Sequence, residues 1–447
     1  MNCPTSNSHN MTRREFLWMT SLSAAGLMAG CAADPVTGKK GLMLVSEDQE
    51  IQIDKKNSPH QFSADYGITQ DTRLNNYIQR VGKDMAALTH RPHMPYTFQV
   101  VNANYINAYA FPGGSIAATR GILLSLGNEA ELAALMGHEL GHVNARHTAE
   151  QMTKGTITQT IVAGIAVYAG TQSATLGQVA SQLGMVGAGA LLASYSRNNE
   201  READALGMEY MVKAGYGSPG FVGLMDVLKS LSKHKPSTVE LLFSTHPMSD
   251  ERYQTAVSAV ATQYQFAKKR KLHQQRYLDN TAALRRIAPA VIAMQRGERH
   301  LGQKKYPSAE SQFRKALKVA PNDYAGLVLL SKSLVLQNKL SAAERYAKKA
   351  QRIYPQEAQA HHLSGYTQLK QKKFGAALNS FSSYDRALPG NPTTLFFKGY
   401  ALEGMQRRKE AAQHYYKYLQ AVNQGPQAKH AYKRLVQWGY IKPKKKS

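Results

Sequence analysis

The sequence predicts a mainly α-helical protein in two parts, an α+β domain with a small sheet followed by an all-α solenoid. Two patterns carry this. In the C-terminal third, residues recur every 34 positions: Ala309, Ala343, Ala377 and Ala411 in one register, Phe313, Ala347, Phe381 and Tyr415 in a second. Gly297, Ser331, Gly365 and Gly399 make a third. Ahead of the repeats, an alternating run from Tyr96 to Tyr109 reads as an edge strand, and a proline-free helix-forming run spans Glu129 to Glu150.

The N-terminus reads Thr12-Arg13-Arg14-Glu15-Phe16-Leu17, then an apolar stretch from Trp18 to Met28, then Ala29-Gly30-Cys31. The apolar stretch is too short to cross about 30 Å of hydrocarbon. Paired arginines ahead of it are similar to a twin-arginine export signal. Ala29-Gly30-Cys31 looks like a lipoprotein processing site, with Met28 where leucine is commoner. Residues 1–30 are therefore expected to be an export signal cleaved before Cys31, which would carry the lipid, with 31–45 as a tether. Ala32 rather than aspartate follows the cysteine, so the expected place is the periplasm, on the inner leaflet of the outer membrane. The chain has two cysteines, Cys3 and Cys31, and only Cys31 would remain after processing. No disulfide is then possible, and coupling between the two parts is expected to rest on packing alone.

Within the helical run lies His138-Glu139-Leu140-Gly141-His142. Histidines four residues apart project about 40° from each other on a helix. Two imidazoles so placed can grip one Zn²⁺, with the glutamate between them as general base. Leu132, Ala133, Leu135, Met136 and Val143 fit burial around the motif; the bland alternative is a surface helix with two solvated histidines. A third ligand of the metzincin kind is excluded, because Ala145 and Thr148 stand where that pattern needs glycine and histidine. His147 lies about 180° around the helix from His138 and should face away. Glu200 is the better candidate. It shares a helix face with Asp204, which could accept the free ring N–H of a ligating histidine. Glu202, about 200° from Glu200, should point elsewhere. An ordinary charged helix, with Arg197 and Arg201 as partners, is the alternative.

These segments, together with Asn107-Ala108-Tyr109-Ala110-Phe111-Pro112-Gly113-Gly114 and Ser244-Thr245-His246-Pro247 followed by Arg252, resemble one family in order and spacing. It is the family of the CAAX prenyl protease and HtpX, nearest its periplasmic, beta-barrel assembly-enhancing branch of lipoproteins. The resemblance runs from about Asp34 to Gln263. It implies a zincin-like metallopeptidase domain over 46–265 with one Zn²⁺ per chain, held by His138, His142 and Glu200. It implies Glu139 as general base, with Asp204 and Arg252 behind the ligands. His246 would stand at the metal, either holding the site shut or stabilising the transition state. Asn107 and its strand would pair with the substrate backbone. Some members bridge their two domains through cysteines, and this chain does not.

Pro321, Pro355 and Pro389 close three of the 34-residue units, and that period is the tetratricopeptide one. Four repeats are expected over 290–425, after a basic helical linker at 266–289 and before a closing helix and basic tail at 426–447. Four exceeds the roughly three needed for a self-supporting solenoid, and the stack makes a groove for protein segments. Charge divides along the same line: 36 basic and 9 acidic residues lie in 257–447, against 20 and 21 before it. Such a field attracts acidic proteins, anionic lipid or nucleic acid, and export argues against nucleic acid; solvated helix faces are the bland reading.

Residues 156–194 are rich in alanine and glycine and are expected to form a buried helical hairpin, or else a flap over the cleft. The function expected is a zinc-dependent periplasmic endopeptidase acting on unfolded or misassembled envelope proteins. Its repeat groove would dock on outer-membrane assembly machinery. A chaperone or scaffold with a gated metal site is the rival.

Overall fold

A computed structural model describes residues 31–153, 195–234 and 240–442. The expected export signal, the segment at 156–194 and the last residues of the basic tail lie outside them.

The stretch expected as a tether contains a hairpin, β1 (Cys31–Ala33) against β2 (Lys40–Leu42). Asp34 Oδ1 accepts from the N–H of Val36 at 2.7 Å and closes the turn. α1 (Glu47–Ala64) starts on a capping box between Ser46 and Gln49. α2 (Thr72–Ala86) buries Leu74, Tyr77, Ile78, Val81 and Met85, spaced three and four apart as an amphipathic helix requires.

The single strand expected over 96–109 forms as two, β3 (Thr97–Val101) and β4 (Ala108–Ala110). The chain turns between them because Asn102 gives its side-chain amide to the carbonyls of Tyr66 and Ile68. β5 (Ser115–Thr119) runs between the two, parallel to β3 and antiparallel to β4. The outer edge of β3 is covered: the Phe98 N–H donates to Gln79 Oε1 at 2.6 Å and the Val100 N–H to Asn75 Oδ1 at 2.9 Å. β4 is the other edge. Its Phe111 N–H donates to the Ser115 carbonyl and its Asn107 carbonyl accepts from Thr119. By antiparallel alternation the main-chain groups of Ala108 and Ala110 turn the other way.

α3 (Arg120–Ser125) leads to α4 (Glu129–Asn144), whose residues are nearly all buried. α5 (His147–Thr153) follows, and α6 (Arg197–Lys213) crosses α4 closely. At the crossing a Cβ on Gly141 would lie 2.8 Å from Ala203 Cα, and one on Gly207 2.8 Å from the His138 nitrogen. Only glycine permits that approach. α7 (Pro219–His234), α8 (Glu240–Thr245), α9 (Asp250–Ala261) and α10 (Gln274–Arg286) complete the first part.

Four helix pairs follow: α11 (Ala288–Gly302) with α12 (Tyr306–Val319), α13 (Tyr324–Leu336) with α14 (Leu340–Ile353), α15 (Ala358–Lys370) with α16 (Phe374–Ala387), and α17 (Pro392–Gly404) with α18 (Arg408–Ala421). α19 (Pro426–Gln437) closes the stack. The 34-residue registers now have a physical meaning. Gly297 lies under the ring of Phe313, Gly365 under Phe381 and Gly399 under Tyr415. Small and large residues interlock within each pair.

The array is fastened to the first part by more than packing, contrary to expectation. Buried Arg120 pairs with Asp323. Glu298 accepts from Tyr66 Oη at 3.1 Å and from Asn104 Nδ2 at 3.2 Å. Ser63 and Tyr324 both donate to Glu357, and Gln359 donates to the Ser63 carbonyl. One hydrophobic core continues from Leu74 through Leu140 and Phe313 to Leu363.

Candidate metal centre

α4 presents His138 and His142 on one face, and the glycine crossing brings α6 near enough for Glu200 to meet them. His142 Nε2 lies 3.1 Å from His138 Nε2 and 3.3 Å from Glu200 Oε1. His138 Nε2 lies 3.6 Å from Glu200 Oε2. His246, just after α8, brings its Nδ1 to 3.0 Å from Glu200 Oε1 and 3.3 Å from His138 Nε2. One donor atom from each of the four residues lies within 4.8 Å of the others, and all four residues are buried. Packed imidazoles and a carboxylate without hydrocarbon between them are a donor set for a metal ion, and three nitrogens with one oxygen suit tetrahedral zinc. The residues fit the ion.

The surroundings hold these donors. His138 Nδ1 is 2.9 Å from Asp204 Oδ1. Arg252 grips Asp204 through Nε at 2.6 Å and Nη2 at 2.7 Å, and its Nη1 is 2.6 Å from Glu200 Oε2. Glu139 Oε2 is buried with no hydrogen-bond partner among the described residues, and Oε1 is 3.8 Å from His246 Nε2.

Burial raises the carboxyl of Glu139 above its ordinary range, against the pull of His246 and His138. Burial presses the same way on Glu200, but the charge of His246 and the hydrogen bonds from His142 and His246 outweigh it, holding Glu200 well below the usual carboxylate range. His142 is driven well down, chiefly by desolvation. An anionic glutamate beside a neutral imidazole offers lone pairs to a cation.

The helix expected to run to Glu150 ends early. Arg146 adopts φ 56° and its Nε reaches Glu50 Oε1 at 3.2 Å, so the chain bends and α5 begins at His147. His147 therefore folds back onto the site instead of facing away: its Nδ1 is 2.9 Å from His142 Nδ1. Glu202, expected to point elsewhere, meets His147 Nε2 at 3.1 Å. Tyr195 escaped the sequence reading altogether. Its ring stacks on His142 with centroids 3.8 Å apart, and its hydroxyl is 3.1 Å from Thr148 Oγ1. No spacing rule marks a residue that lies some fifty positions from its partner.

Asn107 is wholly buried, and neither side-chain polar atom has a hydrogen-bond partner among the described residues. At the end of β4 and in the turn after it, Ala110, Phe111 and Pro112 line a small hollow with His142, Thr148 and Tyr195.

Over residues 72–260 the chain matches peptidase family M48, and over 294–358 a tetratricopeptide repeat. It is 26% identical over 418 residues to the beta-barrel assembly-enhancing protease of Yersinia pestis, an overlap of 87% of this chain and 84% of that protein. It is 30% identical over 199 residues to the metalloprotease YcaL of Escherichia coli K12, covering 44% of this chain and 76% of that protein. The beta-barrel assembly-enhancing protease of Escherichia coli K12 is 26% identical over 195 residues, 41% of this chain and 38% of that one.

Proposed function

The chain belongs to peptidase family M48 and is a metallopeptidase with a tetratricopeptide array; on that premise we propose a zinc-dependent endopeptidase of the periplasm that degrades unfolded or misassembled envelope proteins. The observation that carries the chemistry is the buried cluster of His138, His142, Glu200 and His246 with Glu139 beside it. The envelope role leans on the name of the Yersinia pestis relative and on the lipoprotein-like N-terminus. Among the described residues no helix is long and apolar enough to cross a membrane. Attachment would fall to a lipid on Cys31.

His138, His142 and Glu200 would hold one Zn²⁺, which when bound polarises the scissile carbonyl and brings the pKa of a water to about 7. Glu139 takes the proton of the attacking water and delivers it to the leaving amine. Asp204 and Arg252 keep His138 and Glu200 in place. An extended substrate adds to β4 through the main chain of Ala108 and Ala110, with Asn107 at the start of that edge; such pairing reads little sequence and suits unfolded chains. The repeat groove would recruit outer-membrane assembly machinery or stalled precursors.

A second reading draws on the position of His246. With Nδ1 among the donors it makes a closed four-ligand set, the form structural zinc takes. The chain would then rest as a scaffold or chaperone until His246 withdraws.

The test is bound metal together with casein hydrolysis, for the wild type and Glu139→Gln. One zinc per chain in both, with hydrolysis only in the wild type, establishes the peptidase; an absence of zinc sinks it. His246→Ala then separates the readings: faster hydrolysis marks a shutter, slower hydrolysis a group that stabilises the transition state.

A further inference from the structure

We propose that His147, anchored by Glu202, is a positioning residue that fixes the ring of His142 and the nitrogen it offers to the metal; the inference rests on the zinc-site reading above. The argument is one of hydrogen-bond polarity. Two ring nitrogens 2.9 Å apart, His142 Nδ1 and His147 Nδ1, can bond only if one carries a hydrogen and the other a lone pair. The far side of His147 decides which. Its Nε2 is 3.1 Å from Glu202 Oε2, and a carboxylate only accepts, so the single ring hydrogen of a neutral His147 sits on Nε2. Nδ1 of His147 is then the acceptor, and His142 must carry its own hydrogen on Nδ1. What remains on His142 is the Nε2 lone pair, the atom that faces His138 Nε2 and Glu200 Oε1.

The placement is built into the backbone. The bend at Arg146 is what returns His147 to the site, and Arg146 is itself tied to buried Glu50. Tyr195 covers the flat face of His142, so the ring is fixed by a hydrogen bond along its edge and a stack across its plane. His147 is 1% exposed. The two histidines of the motif are thereby supported unequally. His138 leans directly on the carboxylate of Asp204, whereas His142 leans on the imidazole of His147, with a carboxylate one link further out. A carboxylate in direct contact makes an imidazole a stronger donor than a neutral acceptor does. His142 is then the weaker donor of the pair.

The experiment uses the full chain and measures zinc affinity by chelator competition and the visible spectrum of the Co²⁺-substituted protein, for wild type, His147→Ala, His147→Asn and Glu202→Ala. Melting of the metal-free form checks folding. His147→Ala should weaken zinc by about 10–100-fold, the usual effect of removing a partner behind a ligand. His147→Asn places a carbonyl oxygen near the old Nδ1 and should restore most of that affinity. Glu202→Ala removes only the anchor, at a half-exposed position, and should shift the Co²⁺ spectrum with a smaller loss. Wild-type affinity in His147→Ala, or Asn no better than Ala, overturns the proposal. If His147→Ala does not fold, Glu202→Ala decides: an unchanged affinity and spectrum refute it. A wild-type chain that binds no zinc would instead strike the site reading itself.

Discussion

Gly141, the glycine inside the histidine motif, sets the separation of the two helices that carry the donors, and replacing it with alanine tests that. The new Cβ would lie 2.8 Å from both Cα and the carbonyl oxygen of Ala203, where ordinary contact begins at 3.4 Å. Both opposing atoms are main chain, so no rotamer can yield. α6 must retreat by about 0.6 Å at Ala203, one turn from Glu200, and the 3.3 Å approach of Glu200 to His142 opens with it. Overpacking of this kind costs about 1–3 kcal/mol, while alanine in place of glycine returns up to about 1 kcal/mol of helix propensity. The net loss of fold stability is thus about 0–3 kcal/mol. Function should suffer more, because misplacing reacting groups by about 1 Å can cost about 100-fold in rate. Gly141→Ala should therefore melt within several degrees of the wild type in chelator, yet bind zinc at least about 10-fold more weakly and hydrolyse casein correspondingly slowly. Gly375→Ala is the control, since a Cβ there meets nothing within 4 Å; it should leave both readouts unchanged. Wild-type zinc affinity in Gly141→Ala would refute the idea that the glycine crossing positions Glu200.

Arg120→Ala leaves Asp323 buried without its ion-pair partner and should cost about 3–5 kcal/mol in denaturant unfolding; a loss under about 1 kcal/mol would mean water reaches that carboxylate. Burial raises Glu298 to about 6, against hydrogen bonds from Asn104 and Tyr66. The native state therefore holds that proton more tightly than the unfolded chain does, so its contribution is fully present below about pH 4.5 and is lost as the pH rises through about 6. Between pH 5 and 7 the wild type should lose roughly 1 kcal/mol that Glu298→Gln does not lose; parallel melting profiles for the two would count against it. Asn107→Ala should raise KM for an extended peptide more than it lowers kcat; the reverse split would remove β4 as the substrate edge.

What could be read from the sequence was periodic or local. The repeat registers of Gly297, Gly365 and Gly399 are legible because each small residue answers an aromatic sixteen positions on, within a single helix pair. The pair His138 and His142 is legible because helix geometry fixes their angle. The proposal that Glu200 meets them needed the resemblance, since no rule links a helix face to another some sixty residues away. Extrapolating helix geometry through Arg146 misplaced His147, because a left-handed residue resets the direction of the side chains that follow it. The fastening of the array escaped for a different reason. Arg120, Glu298 and Glu357 look in sequence like any solvated charges, and only the fold shows them facing buried partners.

The hydrophobic interior changes hands within α15. Up to Leu363 the core is continuous with the peptidase domain, and from Leu369 onward a second cluster, running through Phe381, Phe396 and Tyr415 to Leu435, belongs to the array alone. The early repeats must therefore satisfy two neighbours at once, their adjoining helices and the catalytic domain. The later ones answer only to each other. Lineages of such proteins are free to shorten, lengthen or resurface the far end of the stack without disturbing catalysis, whereas the near end must evolve in step with the enzyme it grips.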